Sequence, residues 1–303
     1  MFTTQFTRRQ LLALAGALGL SVAVAAQPPA NRKPRTTPKQ SVPSSYEAHV
    51  LSLKPAGYWR LGEPKGPTAR DSSGLGRDGT FHGAFEFHLA GALKDDPNTS
   101  VFLKDKAFVE IPNNKGFGVS DKGLTVEAWL RLTELDFPGQ TGGGDEPYIH
   151  WLGKGEKGAF EWGFRLYSKH KKDGQLSGRA NRISAYIWNP NSADKADENE
   201  GAGAFFQDEL VPNQWMHIVA TYDPPGKGAG VRIFRDGVLR KGPPDAATLY
   251  STFKVTPVPG TAPLRLGTRD KVSFLNGGLD EVAIYPRVLT AAEIRKSFQL
   301  GTR

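Results

Sequence analysis

The chain has 303 residues, including 35 glycines and 22 prolines, and it contains no cysteine. The lack of cysteine excludes disulfides, zinc–thiolate sites and thiol nucleophiles. The formal net charge is +8, but residues 1–45 hold six basic and no acidic residues, so the remainder carries only +2. A nearly neutral domain is a poor match for the phosphate backbone, and we expect no nucleic-acid partner.

Residues 1–26 predict a signal peptide of the twin-arginine type. Arg8 and Arg9 precede an apolar run at residues 11–26 that ends in small residues, which is the pattern of such export signals. The alternative is a retained membrane anchor, but the run is shorter than the roughly 20 residues that a span needs. We therefore expect cleavage and export to the periplasm, cell surface or exterior, with no stable membrane span afterwards.

Residues 27–45 predict a linker. This segment holds five prolines and four basic residues and has little apolar side chain to bury. Such a composition favours an extended chain. The folded domain is therefore expected at residues 46–303.

The domain predicts an all-β fold with a short helix at its C-terminal end. Ser45 is a candidate N-cap for a first short helix, and Pro55 ends that helix. No helical period follows until Thr290, and Asp236-Gly237 is a hairpin signal. We interpret this pattern as an antiparallel β-sandwich, with strands predicted at residues 58–61, 100–103, 108–111, 124–132, 159–167, 182–188, 215–222, 231–235, 238–241, 264–268 and 279–285.

The last predicted strand contains an acidic residue at a core position. Asp280, Val282 and Ile284 share one face by the two-residue period of a strand. Asp280 is therefore expected to be buried, where a carboxylate without a partner costs several kcal/mol.

The segment after this strand predicts the C-terminal helix. Thr290 and Glu293 have the spacing of a capping box. Ile294 and Phe298, four residues apart, would dock the helix, and Gly301 can end it.

Several short motifs occur in one order along the domain, at residues 55–63 (PAGYWRLGE), 71–79 (DSSGLGRDG), 124–129 (LTVEAW), 215–223 (WMHIVATYD), 235–237 (RDG) and 278–285 (GLDEVAIY). In this order they resemble the bacterial LamG-like jellyroll domains of the concanavalin A-like lectin/glucanase superfamily, over residues 46–300. The resemblance implies two curved antiparallel sheets packed as a jellyroll, often a structural calcium ion, and usually a binding role. The chain departs from the pattern by insertions at residues 138–147 and 189–203, and loops of this kind vary most within the family.

Asp71 and Asp280 are the candidate ligands of a Ca²⁺ ion. The Asp-, Ser- and Gly-rich loop around Asp71 can turn carbonyl and carboxylate oxygens toward one point, as hard cations require. The family fold would place the first strand beside the last, which would bring the two carboxylates together. The alternative is that Asp280 accepts backbone N–H bonds, or pairs with Arg70, and holds no metal.

No catalytic residue can be assigned. The glucanases of the superfamily carry E-x-D-x-x-E or E-x-D-x-E on one strand, and neither run occurs here. Asp208-Glu209 and Asp280-Glu281 are adjacent, so in regular strands each pair is expected to point to opposite faces. The six histidines are scattered without the spacing of metal ligands. A non-enzymatic protein is predicted, and an atypical glycoside-active enzyme is the alternative.

Four residues form a candidate ligand-binding surface. In the strand at residues 159–167 the alternating apolar side chains point inward, which leaves Arg165 and Tyr167 outward. The same argument in the next strand turns Tyr186 and Trp188 outward. Aromatic rings beside a guanidinium suit a sugar, because rings stack on apolar sugar faces and the guanidinium binds hydroxyls. The alternative is that the long insertions fold over this face and make a second small core.

Taken together, the sequence predicts an exported, non-catalytic binding module whose partner is a glycan or a cell-surface protein. A structural or protein-interaction module of the cell envelope is the second hypothesis.

Overall fold

The computed structural model describes residues 44–139, 145–156, 159–188, 201–224, 230–240 and 260–303. The predicted signal peptide (1–26), nearly all of the linker (27–45) and much of both insertions lie outside these residues. Within the described part of the chain, no helix is long and apolar enough to cross a membrane.

The described residues form strands β1 (Gly57–Trp59), β2 (Thr68–Ala69), β3 (Gly79–Ala90), β4 (Thr99–Ile111), β5 (Leu124–Leu132), β6 (Tyr148–Glu156), β7 (Ala159–Tyr167), β8 (Ile183–Trp188), β9 (Gly201–Phe206), β10 (Trp215–Asp223), β11 (Gly230–Arg235), β12 (Val238–Arg240), β13 (Leu264–Leu266) and β14 (Gly277–Tyr285). The helices are α1 (Ser45–Ser52) and α2 (Ala291–Gly301), and a 3-10 turn covers Lys115–Phe117.

The strands form one continuous antiparallel sheet that folds back on itself. Its order is β12-β11-β10-β5-β14-β4-β13-β6-β7-β8-β9, with β1 beside β14 and the β2–β3 pair beside β4. The sheet curves so that β8 and β9, at one end of this order, contact β11 near the other end. The two layers enclose a core that includes Trp59, Trp151, Trp162, Phe117 and Phe206. The predicted antiparallel sandwich with a short C-terminal helix is confirmed.

The two helices cover the outer side of β5, β10 and β14. Thr290 and Glu293 form the predicted capping box at the start of α2, and Ile294 is fully buried. The cap of α1 is Ser44 rather than Ser45, because the Ser44 hydroxyl accepts the Glu47 N–H at 3.2 Å. Tyr46, Trp129, Tyr285 and other buried side chains form a second cluster beneath the helices.

A β-bulge in β14 reverses the predicted orientation of Asp280. Glu281 has a φ of 51°, and the pairing with β5 shifts register between Asp280 and Ala283. Val282 and Ile284 point into the core between the layers. Asp280 lies on the other face of the sheet, where it is the cross-strand partner of Trp129. The prediction that Asp280 shares a face with Val282 and Ile284 is therefore wrong, although its burial is confirmed at 0% exposure.

The same bulge turns Asp280 and Glu281 toward one neighbour. The amide nitrogen of Asn98 donates to Asp280 at 3.3 Å and to Glu281 at 3.0 Å. The expectation that these two carboxylates point to opposite faces is wrong, because that rule requires a regular strand. Arg60 pairs with Glu281 at 2.9 Å, and the Tyr58 hydroxyl also donates to it.

A third buried acid, Glu127 in β5, completes the polar layer under the helices. Its oxygens accept from Tyr46 at 3.1 Å and from Tyr285 at 2.7 Å, and the Nε2 atom of His217 lies 2.8 Å away. These bonds connect α1, β5, β10 and β14. Removing one partner of such a buried charged group typically costs about 3–5 kcal/mol.

The pKa values of the three buried acids are shifted in opposite directions. Burial raises the pKa of Glu281 to about 7 despite the Arg60 charge, and burial beside the Glu281 charge raises the pKa of Asp280. Burial alone would also raise the pKa of Glu127, but the hydrogen bonds from His217, Tyr285 and Tyr46 lower it overall.

We expect Glu281 to contribute more stability at pH 5 than at pH 8, measured as the difference in unfolding free energy between the wild type and Glu281→Gln, because the lowered pKa of buried His150 acts in the opposite direction and is the same in both proteins. A carboxyl whose pKa is raised in the folded state contributes stability that is present below the unfolded pKa of about 4.3 and is lost as the pH rises through 7. The difference should be on the order of 3 kcal/mol. Urea unfolding at the two pH values measures it. Asp280→Asn should show the same trend relative to the wild type, since the pKa of Asp280 is also raised. A free-energy difference between the wild type and Glu281→Gln that is equal at both pH values would refute the explanation.

Candidate functional site

The outer side of β6, β7 and β8 carries the predicted binding residues. We call this surface the aromatic face; it consists of Tyr148, His150, Arg165, Tyr167, Tyr186 and Trp188. The alternate residues of the same strands, such as Trp162, Phe164 and Ile187, belong to the core between the layers. The predicted orientation of the four sequence-derived residues is confirmed, and they lie side by side on neighbouring strands.

Three of the four predicted residues are buried rather than open to solvent. Tyr167 and Tyr186 are each 3% exposed and Trp188 is 9% exposed, and the rings of Tyr186 and Trp188 stack at 5.2 Å. This packing agrees with the small core of the alternative, whereas much of the insertions that the alternative places over this face lies outside the described residues. Arg165 and Tyr148 keep partial exposure, so they are the accessible members of the aromatic face.

Arg165 is held by aromatic groups rather than by an acid. Its Nη1 atom donates to the hydroxyls of Tyr167 at 3.0 Å and Tyr186 at 3.4 Å. Its guanidinium carbon lies 4.0 Å from the ring centre of Tyr148 and 4.6 Å from that of Tyr186. Its buried Nε has no hydrogen-bond partner within the described residues. The planar group is thus fixed in position and keeps its full charge.

Further cations border the face. Arg179 and Arg182 lie 5.2 and 5.9 Å from the ring of Tyr167. Arg179 also pairs with Glu146 at 2.9 Å. Burial alone would raise the pKa of Tyr167, but the charges of Arg165 and Arg179 lower it overall. Among the described residues, the three arginines that contact the Tyr167 ring thus outnumber the one acid, Glu146, that pairs with them.

Arg269 crosses the sheet beside the aromatic face, over two glycines. A Cβ on Gly153 would come within 2.8 Å of the Arg269 side chain, and one on Gly163 within 3.0 Å. The guanidinium carbon of Arg269 lies 3.7 Å from the ring centre of Phe160. The glycines thus leave the space that this side chain occupies.

His150 belongs to the site, and sequence reasoning missed it. It is 1% exposed and pairs directly with Arg165 across β6 and β7. Neither of its ring nitrogens has a hydrogen-bond partner among the described residues. Burial, together with the charges of Arg269 and Arg165, lowers the pKa of His150 well below its usual value. The alternation of β6 would have revealed it, but β6 was not among the predicted strands.

The residues proposed for calcium have separate partners. The carboxylate of Asp71 accepts the backbone N–H groups of Tyr58, Ser73 and Arg77 at 2.9–3.1 Å. Asp280 accepts the backbone N–H of Ala92 at 2.7 Å, as the non-metal alternative proposes. Among the described residues, no cluster of three His, Asp or Glu side chains is arranged to hold a metal. These hydrogen bonds satisfy both carboxylates as the non-metal alternative proposes, and the calcium assignment stays a prediction.

The buried acids of β5 and β14 do not form an accessible catalytic pair. Glu127, Asp280 and Glu281 are all 0% exposed, and their oxygens bind tyrosine, arginine and asparagine side chains. A substrate would have to displace these partners to reach a carboxylate.

The fold is shared with receptor-binding domains of known structure. The chain is similar to the receptor-binding domain of botulinum neurotoxin type G, with 13% identity, a TM-score of 0.51, and coverage of 82% of this chain and 51% of that one. It is also similar to the binding domain of botulinum neurotoxin DC in complex with rat synaptotagmin II, with 13% identity, a TM-score of 0.54, and coverage of 82% and 52%. At this identity the likeness shows the fold, and the chain spans about half the length of these structures.

The sequence itself supports a family assignment. No curated protein matches the chain. A family model described as the concanavalin A-like lectin/glucanases superfamily matches residues 103–295, which is more than half of the chain. This range contains the central strands and the whole aromatic face. The chain belongs to the concanavalin A-like lectin/glucanases superfamily.

Proposed function

We propose that the protein is an exported, non-catalytic binding module that recognises a glycan on a cell surface or in the surrounding matrix through the aromatic face. The observation that carries this proposal is Arg165, a partly exposed guanidinium fixed between tyrosine rings. A guanidinium beside a ring offers donors to sugar hydroxyls and a flat surface to the sugar face. Superfamily membership and the likeness to receptor-binding domains support a binding role.

A cell-surface protein is the second candidate partner. The structure of the neurotoxin DC binding domain with synaptotagmin II shows that a domain of related fold binds a protein. The burial of Tyr167, Tyr186 and Trp188 favours this reading, since it leaves less ring surface for stacking on a sugar. A protein-interaction module of the envelope would then bind its partner through the accessible residues of the aromatic face.

A glycan array with the mature protein tests the proposal. We expect specific glycan binding that Trp188→Ala weakens about tenfold or more, because Trp188 supports the Tyr186 ring by stacking. Trp215→Ala is the matched control, since Trp215 lies on β10, outside the aromatic face. Absence of binding to any glycan, or equal loss in both variants, would contradict the proposal.

Thermal melts decide between a calcium ion at Asp71 and Asp280 and the alternative in which both carboxylates only accept N–H bonds. Because the carboxylates of Asp71 and Asp280 are occupied by N–H donors, we expect chelator to leave the melting temperature unchanged and Asp280→Ala to lower it. A chelator-induced drop in the wild type that disappears in the Asp71→Ala, Asp280→Ala double variant would instead establish a calcium site at these residues. A bound ion at a hundred times its dissociation constant adds about 2.7 kcal/mol, which a melt detects readily.

Export through the twin-arginine pathway is tested by the N-terminus of the secreted protein. We expect mass spectrometry to find a mature chain that begins at Ala26 or Gln27. Substituting both Arg8 and Arg9 by lysine should block export, because that pathway reads the paired arginines. Arg32→Lys with Arg35→Lys is the control and should export normally. An intact N-terminus, or normal export of the Arg8 and Arg9 variant, would refute the prediction.

A further inference from the structure

We infer that Arg165 and His150 together form a subsite for the carboxylate of an acidic sugar, so that the ligand class is a uronate-containing glycan. This inference rests on the proposed function and narrows it. Both residues lie on the outer face of neighbouring strands and are direct cross-strand partners.

The Arg165 guanidinium carries a charge that no carboxylate among the described residues neutralises. The other deeply placed arginines have acids: Arg265 pairs with Glu110 and Glu156 at 2.8 and 2.6 Å, and Arg269 pairs with Asp270 at 2.7 Å. Arg60 likewise contacts several carboxylates. Among the described residues, Arg165 makes its hydrogen bonds and ring contacts with tyrosines and none with a carboxylate. A guanidinium cannot discard its proton, so a protein that pairs its other deep arginines leaves an anion-binding position here.

Arg165 and His150 also have donor and acceptor atoms that are not used in hydrogen bonds to described residues. The Nε of Arg165 and both ring nitrogens of His150 are buried without partners among the described residues. Most buried polar atoms in proteins have a hydrogen-bond partner, and a bound ligand is one way to supply it. Other buried atoms of this chain, such as the Nε of Arg131, also lack a partner among the described residues, but at Arg165 and His150 three of them lie on paired neighbouring residues. A carboxylate that approaches the partly exposed Arg165 side chain has two oxygens, so that one can accept from the guanidinium and the other from an N–H of the neutral His150 imidazole on the neighbouring strand.

The Arg165 guanidinium is held in one orientation before any ligand binds. The Nη1 atom of Arg165 is held by Tyr167 and Tyr186, and Tyr148 packs against its plane. A group that is already immobilised loses little entropy when it binds a ligand. The partly exposed Tyr148 ring lies beside the proposed carboxylate position and can stack on the sugar that bears it. This pairing of ring and charge favours an acidic sugar over a free inorganic anion.

The surroundings select against neutral and cationic ligands. Arg179 and Arg182 flank the same edge, and the hydrogen bonds of the Arg182 guanidinium to described residues go to the uncharged amide of Gln207, at 3.0 and 3.2 Å. Within the described residues the positive charge at this edge thus exceeds the negative charge that faces it. Such a field speeds the approach of an anionic ligand.

Calorimetric titration with short uronate oligosaccharides of galacturonate, glucuronate and mannuronate tests the inference. The comparison ligands are the same oligosaccharides with their carboxyl groups reduced to alcohols, and a sulfated oligosaccharide of equal length. We expect at least one uronate to bind about tenfold or more tighter than its reduced form, because the reduced form leaves the Arg165 charge unpaired. Arg165→Gln should weaken uronate binding about 10- to 100-fold.

Matched variants separate a subsite from general attraction. Lys172→Gln removes an exposed cation from the segment between β7 and β8, and it should leave uronate binding nearly unchanged. Arg165→Lys keeps the charge but loses the Nε donor, and it should bind with intermediate affinity. The ¹⁵N signals of the His150 ring should shift when uronate is added. Unchanged melting temperatures of the variants would show that the losses are not caused by unfolding.

The outcomes are distinguishable. Equal binding of uronate and reduced oligosaccharide would leave glycan recognition standing and overturn the acidic-sugar subsite. Equal effects of Arg165→Gln and Lys172→Gln, together with equal binding of the sulfated oligosaccharide, would show general attraction of anions and also overturn it. No binding of any oligosaccharide would overturn both this inference and the proposed function.

Discussion

The bulge at Glu281 is the constraint on which the closed end of the sandwich depends. It turns two consecutive carboxylates, Asp280 and Glu281, into the layer between the sheet and the helices. There Arg60 and Tyr58 bind Glu281, and Ala92 binds Asp280. The first strand, the segment before β4 and the last strand are thereby tied to one buried cluster. Because an unpartnered buried carboxylate costs several kcal/mol, these elements are stable only when they assemble together.

That assembly determines where a binding surface can form. β14 lies between β5 and β4 near the middle of the sheet, and its outer side is covered by the helices and by the segment around Ala92 and Asn98. β6, β7 and β8 lie toward the other end of the sheet path, and their outer side carries arginine and aromatic side chains rather than apolar helices. The protein thus uses carboxylates to stabilise one outer face and arginine–aromatic contacts to build the other. On the second face Arg165 contacts no carboxylate among the described residues.

Local sequence patterns predicted the helix cap and the orientation of several strand residues. The features that these patterns missed depend on long-range contacts. The capping box of α2 depends on Thr290 and Glu293 alone, and the orientation of Arg165 and Tyr186 depends on regular alternation, so both could be predicted. Alternation failed at Asp280 because a bulge adds a residue, which the two-residue period cannot show. β6 was missed because its pairing with β7 is interrupted by bulges, and His150 was missed with it. The burial of Tyr167 and Trp188 depends on packing partners distant in the chain, which no local pattern contains.

The central claim is that ligands bind at the aromatic face rather than at the helix-covered side. Hydrogen exchange followed by mass spectrometry, with and without the tightest-binding array glycan, tests it most directly, because backbone protection reports where a ligand sits in the folded protein. The account predicts that the glycan slows exchange in β6, β7, β8 and the segment at residues 168–182. Protection confined to α1, the loop at residues 71–79 and β14, with no change in β6 to β8, would contradict it.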